Sequence, residues 1–441
     1  MATMYDLILE GGVLVTHKGE RRGDIAIRGG KIAAIGKVDG RAKKTMNVAG
    51  LHILPGVMDT QVHFREPGAE HKEDFATGTK AALLGGITGV FEMPNTSPPT
   101  TTLAALKDKR TRAKGRMYCN YAFYAGATPD NIDTLGKLEK SKACCGIKVF
   151  LGSSTGDLLV PDDTHVEAIL RGTSRRVAFH SEDEFRLEAR KHLRVEGDVS
   201  SHMVWRDART ASLATERVLR IARKTRRKVH ILHVSTAQEM DMLAKAPQAT
   251  VEVTPQHLTL EAPDCYERLG TYAQMNPPVR GRSHRLGLWR ALREGVVDVI
   301  GSDHAPHTSA EKSGTYPATP AGMPGVQTLL PVMLGHVNAG KLSLPHLVSL
   351  TSYRPQQMFG IRGKGRLAVG YDADLTLVDM RHQREINEDW IASRCGWTPF
   401  AGHKVTGWPR GVLLHGKIAM WDDEVCGPAI GAEMDFAPVR N

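Results

Sequence analysis

The chain has little cysteine for its length. Six occur among 441 residues, at 119, 144, 145, 265, 395 and 426, with no Cys-x-x-Cys spacing. That excludes a dense disulfide framework, and reduced, mostly buried thiols in a cytoplasmic protein are the expectation. No run of 18 apolar residues occurs, so no membrane-spanning helix is predicted. The opening MATMYDLILEGG lacks a basic segment followed by an apolar one, which argues against a secretory signal. No Gly-x-Gly-x-x-Gly follows an early apolar strand, which removes the dinucleotide fingerprint. Nothing matches a nucleic-acid motif either.

What is present is ordinary for a folded protein: 41% hydrophobic residues, with 44 Gly and 23 Pro for tight turns. The length allows one large core plus a second, smaller unit. The formal net charge of +10 favours small anionic ligands or an acidic partner through the long-range field. It is equally what a merely basic surface gives. The basic runs 107–116 and 223–228 read as solvated helix ends.

The two ends share a texture. Short strand patterns at 5–9, 13–15, 25–27 and 32–35 are separated by Gly pairs and charges, and similar ones return at 375–378, 412–415 and 418–421. One small β-sandwich domain assembled from residues 1–50 and 365–441 is the simplest account. The middle, 51–364, alternates. Buried-strand candidates at 51–59, 88–93, 118–124, 145–151, 176–180, 228–233, 249–253 and 296–301 are mostly separated by helical patterns, such as 74–84, 103–114, 211–224, 238–246 and 285–294. Eight such repeats over about 250 residues predict an α/β fold, a (β/α)8 TIM-like barrel. In that architecture functional residues sit at the carboxyl-terminal ends of strands.

Those ends carry a recurring set. The first strand finishes in Gln61, His63 and Arg65, which alternation places on one side. The second leads to Asn95, the fourth contains Lys148, the fifth ends in His180, the sixth in His233 and the eighth in Asp303, His304 and His307. A single strand-end His is more often a structural residue, Asn95 alone reads as a turn residue, and Asp303 alone as a cap. Separate structural explanations for all of them are less economical than one site. Lys148 is the most telling, because a Lys inside an apolar strand carries a heavy desolvation penalty for its charged form. A neutral amine can take up CO2 as a carbamate, an anion suited to bridge two cations. Imidazole and carboxylate donors suit Zn2+, and two such ions can activate water while polarising a carbonyl. Composition and placement therefore point to a binuclear metal hydrolase.

These residues resemble the amidohydrolase superfamily, and within it the dihydroorotases of the cyclic amidohydrolase group. The resemblance covers essentially the whole chain. It is carried by Pro55-Gly-Val-Met-Asp-Thr-Gln-Val-His-Phe-Arg-Glu-Pro-Gly, His71-Lys-Glu-Asp-Phe through Thr77-Gly-Thr-Lys-Ala-Ala, Met93-Pro-Asn-Thr, His230-Ile-Leu-His-Val-Ser-Thr, Asn276-Pro-Pro-Val-Arg and Gly301-Ser-Asp-His-Ala-Pro-His. It implies that His63 and Asp303 bind a first zinc, that His180 and His233 bind a second, and that carbamylated Lys148 bridges them. Arg65, Asn95 and His307 would hold a substrate carboxylate, and Asn276 would contact the substrate ring. Asp303 would act as general base and then acid. Gly322-Met-Pro-Gly resembles a substrate-proximal segment.

The implied reaction is reversible hydrolysis of dihydroorotate to N-carbamoyl-L-aspartate in pyrimidine biosynthesis. Arg65 favours that substrate, since it can pair a carboxylate bidentately. An allantoinase- or hydantoinase-like cyclic amidase is the first alternative. The second is a non-catalytic scaffold for aspartate transcarbamoylase; a homodimer is also implied, since family members are often dimers. One position departs from the family, which places His-x-His where this chain has Gln61-x-His63. Gln is a poor neutral ligand for zinc beside imidazole. Either two ions bind with Gln61 or water completing the first site, or one ion is held at His180 and His233, or the site is inactive. Glu182 and Asp183 read as solvated, or as supports behind the ligands. Loops 152–157 and 308–320 are candidates to cover a substrate.

Overall fold

The computed structural model describes residues 4–154 and 158–438. Residues 155–157 of the first candidate covering loop lie outside this range. Eight parallel strands, in chain order, form one sheet: Val57–Val62, Ile87–Glu92, Asn120–Gly126, Cys144–Phe150, Val177–His180, Val229–Ile231, Ala249–Val253 and Val299–Ile300. They are barrel strands 1 to 8 below. The circle closes where Val62 bridges His304 in parallel and the His63 N–H donates to the His304 carbonyl at 2.7 Å. Strands 1 to 5 are buried along their whole length. That is why they read as near-continuous apolar runs and not as alternating ones.

The helices between strands obey local rules. Phe75–Leu84 starts at Asp74, which accepts from the Thr77 N–H in a reciprocal capping box. Ala208–Thr225 is capped by Asp207 and buries Ala211, Ala214, Thr215, Val218, Leu219 and Ala222, a helical-period face turned to the barrel. The expected helix over 103–114 is Leu103–Ala113. Its basic run is not wholly solvated, however. Lys109 is buried, donates to the Met93 carbonyl at 2.8 Å and pairs with Glu92. The aliphatic stem and the buried carboxylate hold it there, and the sequence pattern shows neither.

The termini build a separate nine-stranded sheet. Met4–Thr16, Gly19–Arg28, Lys31–Gly36 and Arg41–Asn47 come from the amino-terminal end; Leu375–Glu385, Lys404–Leu414, Lys417–Trp421 and Glu424–Val425 come from the other. The predicted strand over 51–59 is two strands. His52–Pro55 joins this sheet, between Met4–Thr16 and Leu375–Glu385, and Val57–Val62 opens the barrel. Gly56 makes the change of sheet, since a Cβ there would lie 2.3 Å from Thr88 Oγ1. Met4–Thr16 is bulged between Leu9 and Gly12, with Gly11 at φ +76°. A bulge bends the strand, and the sheet closes over its own core of Leu7, Leu14, Ile25, Ile53, Leu375 and Leu413. Arg41–Asn47 was not predicted, because it is charged and largely exposed. Among the described residues no helix is long and apolar enough to cross a membrane.

Candidate active site

Nine of the ten residues singled out in the sequence line one cavity: Gln61, His63, Arg65, Asn95, Lys148, His180, His233, Asn276 and Asp303. The tenth, His307, lies behind it against Arg65. The fold explains the convergence. Each residue sits at or just beyond the carboxyl-terminal end of a strand, or on a connection at that face, so elements far apart in sequence meet at one mouth. Arg65, His233 and Asp303 hold left-handed backbone, at φ 63°, 38° and 46°. Such conformations cost about 1–3 kcal/mol each in non-glycine residues and cluster at functional sites.

The hydrogen bonds fix the tautomers. His63 Nδ1–H donates to Asn95 Oδ1 at 2.7 Å, which leaves Nε2 as a lone pair 3.2 Å from Asp303 Oδ1. Burial lowers the pKa of this ring, against the opposing pull of Asp303. A buried lone pair facing a carboxylate oxygen is repulsive unless a cation lies between them. His180 Nε2–H donates to Glu182 Oε2 at 2.9 Å, which leaves Nδ1 3.1 Å from His233 Nε2. Burial also lowers both of these pKa values, and His233 Nδ1 is buried without a partner. Two nitrogen ligands of a tetrahedral zinc stand about 3.4 Å apart, given bonds of about 2.0–2.1 Å. Both pairs therefore fit divalent metal, two protein donors to each ion.

Lys148 lies in the same cavity, wholly buried, its Nζ without a hydrogen-bond partner. Burial brings its pKa down to about 7. The amine stands 4.4 Å from the centre of the Phe150 ring. Asp303 and Glu252 pull the other way through their charge, but among the described residues Lys148 makes no ion pair. An unpartnered amine whose charge burial disfavours, beside two ligand pairs, is suited to become a carbamate that supplies the missing anionic donors. Another acidic cluster, Asp372, Asp374 and His415, also brings three ligand atoms together. Lys364 already bridges its two carboxylates at 2.9 and 2.6 Å, so its charge is satisfied.

Gln61 does not replace the missing imidazole in kind. Its Nε2 donates to Asp303 Oδ1 at 2.9 Å, and its Oε1 is buried without a partner. It thus holds the carboxylate and offers a neutral oxygen nearby.

The substrate-facing end is cationic. Arg65 is buried, donates Nε to the Pro306 carbonyl at 3.1 Å, and makes no ion pair among the described residues. Burial lowers its pKa to about 10. His307 Nε2–H donates to the Ala321 carbonyl at 3.1 Å, Lys72 donates to its Nδ1 at 3.2 Å, and Arg65 Nη2 lies 3.2 Å from Nε2. His307 buttresses the guanidinium from behind. Gly322 also lines the cavity; a Cβ there would meet Ala305 O at 2.4 Å.

Glu182 is not solvated. It is fully buried, orients His180, and pairs with Arg206 Nη1 at 2.5 Å. Burial alone would raise its carboxyl; Arg206 and His180 outweigh that and hold it at about 2. Asp183 caps helix Glu184–Arg190 instead. Sequence reasoning missed Phe150, which strand alternation from Lys148 places on the same face. It also missed His202, whose Nε2 lies 3.0 Å from Asn276 Oδ1. No local signal marks His202, which comes from helix Ser201–Trp205.

The family model for the amidohydrolase family matches residues 52–419, and the chain belongs to that family. A dihydroorotase of Halobacterium salinarum is 38% identical over 404 residues, 91% of this chain and 94% of that protein. An allantoinase of Deinococcus radiodurans is 34% identical, covering 97% of this chain and 98% of that one. Among solved structures, the L-hydantoinase (dihydropyrimidinase) from Arthrobacter aurescens superposes with a TM-score of 0.92 at 29% identity, over 97% of this chain and 99% of that one. The protein is a cyclic amidohydrolase, a hydrolase of C–N bonds in cyclic amides, and its sequence resembles dihydroorotases.

Proposed function

We propose that this protein is a zinc-dependent dihydroorotase that interconverts dihydroorotate and N-carbamoyl-L-aspartate in pyrimidine biosynthesis. The observation that carries the reading is Arg65: a buried guanidinium in the cavity lining, without an ion pair among the described residues. A ring carboxylate is the partner it lacks, and a charge-assisted pair of that kind orients as well as binds. Asn95, already anchored on His63, and His307, behind the guanidinium, complete that end.

His63 and Asp303 would hold one zinc, His180 and His233 the other, with Lys148 as a CO2-derived carbamate between them. When bound, the metals would supply an activated water at neutral pH and polarise the ring carbonyl. Asp303, gripped by Gln61, would serve as the base for the attacking water and then as the acid toward the departing ring nitrogen. Asn276, fixed by His202, positions the ring.

A test is turnover of dihydroorotate, allantoin and hydantoin by purified protein supplied with zinc and bicarbonate. The reading expects dihydroorotate to be preferred; no turnover of it would remove the proposal. The allantoinase relatives at 34% and 32% identity favour allantoin as the second substrate to examine. Retention of every ligand other than the imidazole that Gln61 replaces favours an enzyme over a scaffold bound to aspartate transcarbamoylase. A cytoplasmic homodimer is the working assembly.

A further inference from the structure

Arg175, Arg176, Arg226, Arg227 and Lys228 converge on a second cleft, of about 400 Å3. It lies at the opposite mouth of the barrel from the active site. Arg176 immediately precedes barrel strand 5, and Lys228 precedes strand 6. Helix Ala208–Thr225 ends at Arg226 in left-handed backbone, φ 54°, which turns the chain into the cleft. The last three residues of the basic run that reads in sequence as a solvated helix end thus line this cleft.

Among the described residues no Asp or Glu lines the cleft, and none of the five basic residues forms an ion pair. Arg176 donates only to neutral groups: the Val229 carbonyl and Thr250 Oγ1, each at 3.2 Å, and the Met358 carbonyl at 3.4 Å. Arg227 gives Nη2 to the Arg175 carbonyl at 3.2 Å, and its Nε is buried with no partner. Glu139, the carboxylate that acts on Arg227, already accepts from the N–H groups of Ser174 and Arg175 at 2.8 and 2.7 Å. Burial lowers the pKa values of Arg176 and Arg227. Partly desolvated guanidinium groups without an anion are unfavourable, and clustering them adds mutual repulsion.

An anion with several charges relieves both costs. Guanidinium forks match phosphate oxygens two at a time. One carboxylate would neutralise a single cation of five. The recess of Arg176 and the volume, within the range of about 300–1,000 Å3 for small-molecule sites, suit a small ligand better than a flat acidic surface. We propose that this cleft binds a small molecule bearing a diphosphate or triphosphate group.

Calorimetric titration of the full chain at about 150 mM salt, where surface attraction is screened, tests this. The probes are inorganic phosphate, pyrophosphate, ATP and a poly-glutamate peptide. Pyrophosphate and ATP should bind, with inorganic phosphate at least about tenfold weaker. Arg227→Gln should weaken both by about tenfold or more, the scale of a lost charge-assisted bond. Because Arg227 is partly buried, the exposed pair Arg226→Ser with Lys228→Ser provides a second reading in a protein whose melting is checked; it should weaken both as well. Arg65→Gln should leave this binding unchanged, which separates it from the active site. Absence of pyrophosphate binding, its loss in Arg65→Gln with retention in the cleft variants, or equal affinity for poly-glutamate would overturn the proposal.

Discussion

Gln61 donates its side-chain amide to Asp303 Oδ1 over 2.9 Å, and the same oxygen stands 3.2 Å from Nε2 of His63. The amide thus orients the carboxylate that the first metal would need while adding only a neutral oxygen as a donor. Gln61→His should raise the zinc retained after dialysis toward about two ions per chain, and Gln61→Ala should not. Metal analysis of the three proteins checks this.

Lys148 is the residue on which the two ligand pairs depend. Lys148→Ala should remove activity and reduce retained zinc, because each pair then has only its two protein donors. Its pKa of about 7 leaves much of the amine uncharged at neutral pH, so carbamate formation needs no catalyst there. Apoprotein depleted of CO2 should regain activity with zinc only when bicarbonate is added; equal recovery without bicarbonate would refute the carbamate.

Arg65→Gln removes the one guanidinium that lines the cavity among the described residues. A lost charge-assisted pair is worth roughly 1.5–3 kcal/mol, so kcat/KM for dihydroorotate should fall by about 10- to 100-fold. Turnover of a ring without a carboxylate should change little. Steady-state kinetics on both substrates distinguish an anchor from a general structural loss.

Glu182→Gln keeps shape and removes charge. His180 loses its carboxylate acceptor, and Arg206 loses the partner that offsets its burial. Groups that orient metal ligands typically contribute 10- to 100-fold in affinity, and the zinc dissociation constant at the His180–His233 pair should rise by about that factor, read by competition with a chelator.

Beneath the site, Glu252 is fully buried; it accepts from Thr60 at 2.9 Å and leaves Oε1 unpartnered. Burial raises its pKa to about 8, against about 4.3 in an unfolded chain. Between those values the folded state holds the proton that the unfolded state has released. Its contribution is therefore present below about pH 4 and falls as pH rises toward 8. In metal-free protein, Glu252→Gln should raise Tm more at pH 8 than at pH 5, by roughly 2–5 °C. An equal shift at both pH values would contradict it.

Most of the barrel and the candidate residues at its strand ends were legible because both rest on local signals, whereas Asn276 came from the resemblance alone. Apolar runs of strand length mark the staves, and polar residues at their ends stand out against them. His180 and His233 needed nothing more. The strand at His52–Pro55 was not separable from the barrel strand after it, since both are apolar and only Thr88, far along the chain, makes Gly56 a bend. The Arg206 contact that buries Glu182, and the recruitment of Arg227 into a cleft, depend on contacts between distant segments. Charge in a sequence says nothing of which neighbour will share its burial.

His52–Pro55 has one further consequence. Four residues long, it is the seam between the amino-terminal strands and those that begin at Leu375. During synthesis its outer edge stays open until some three hundred more residues have left the ribosome. An unpaired edge is a template for pairing between chains. Nascent or truncated molecules that end before Leu375 should therefore cross-pair and depend on chaperones, even where their barrel segments are intact.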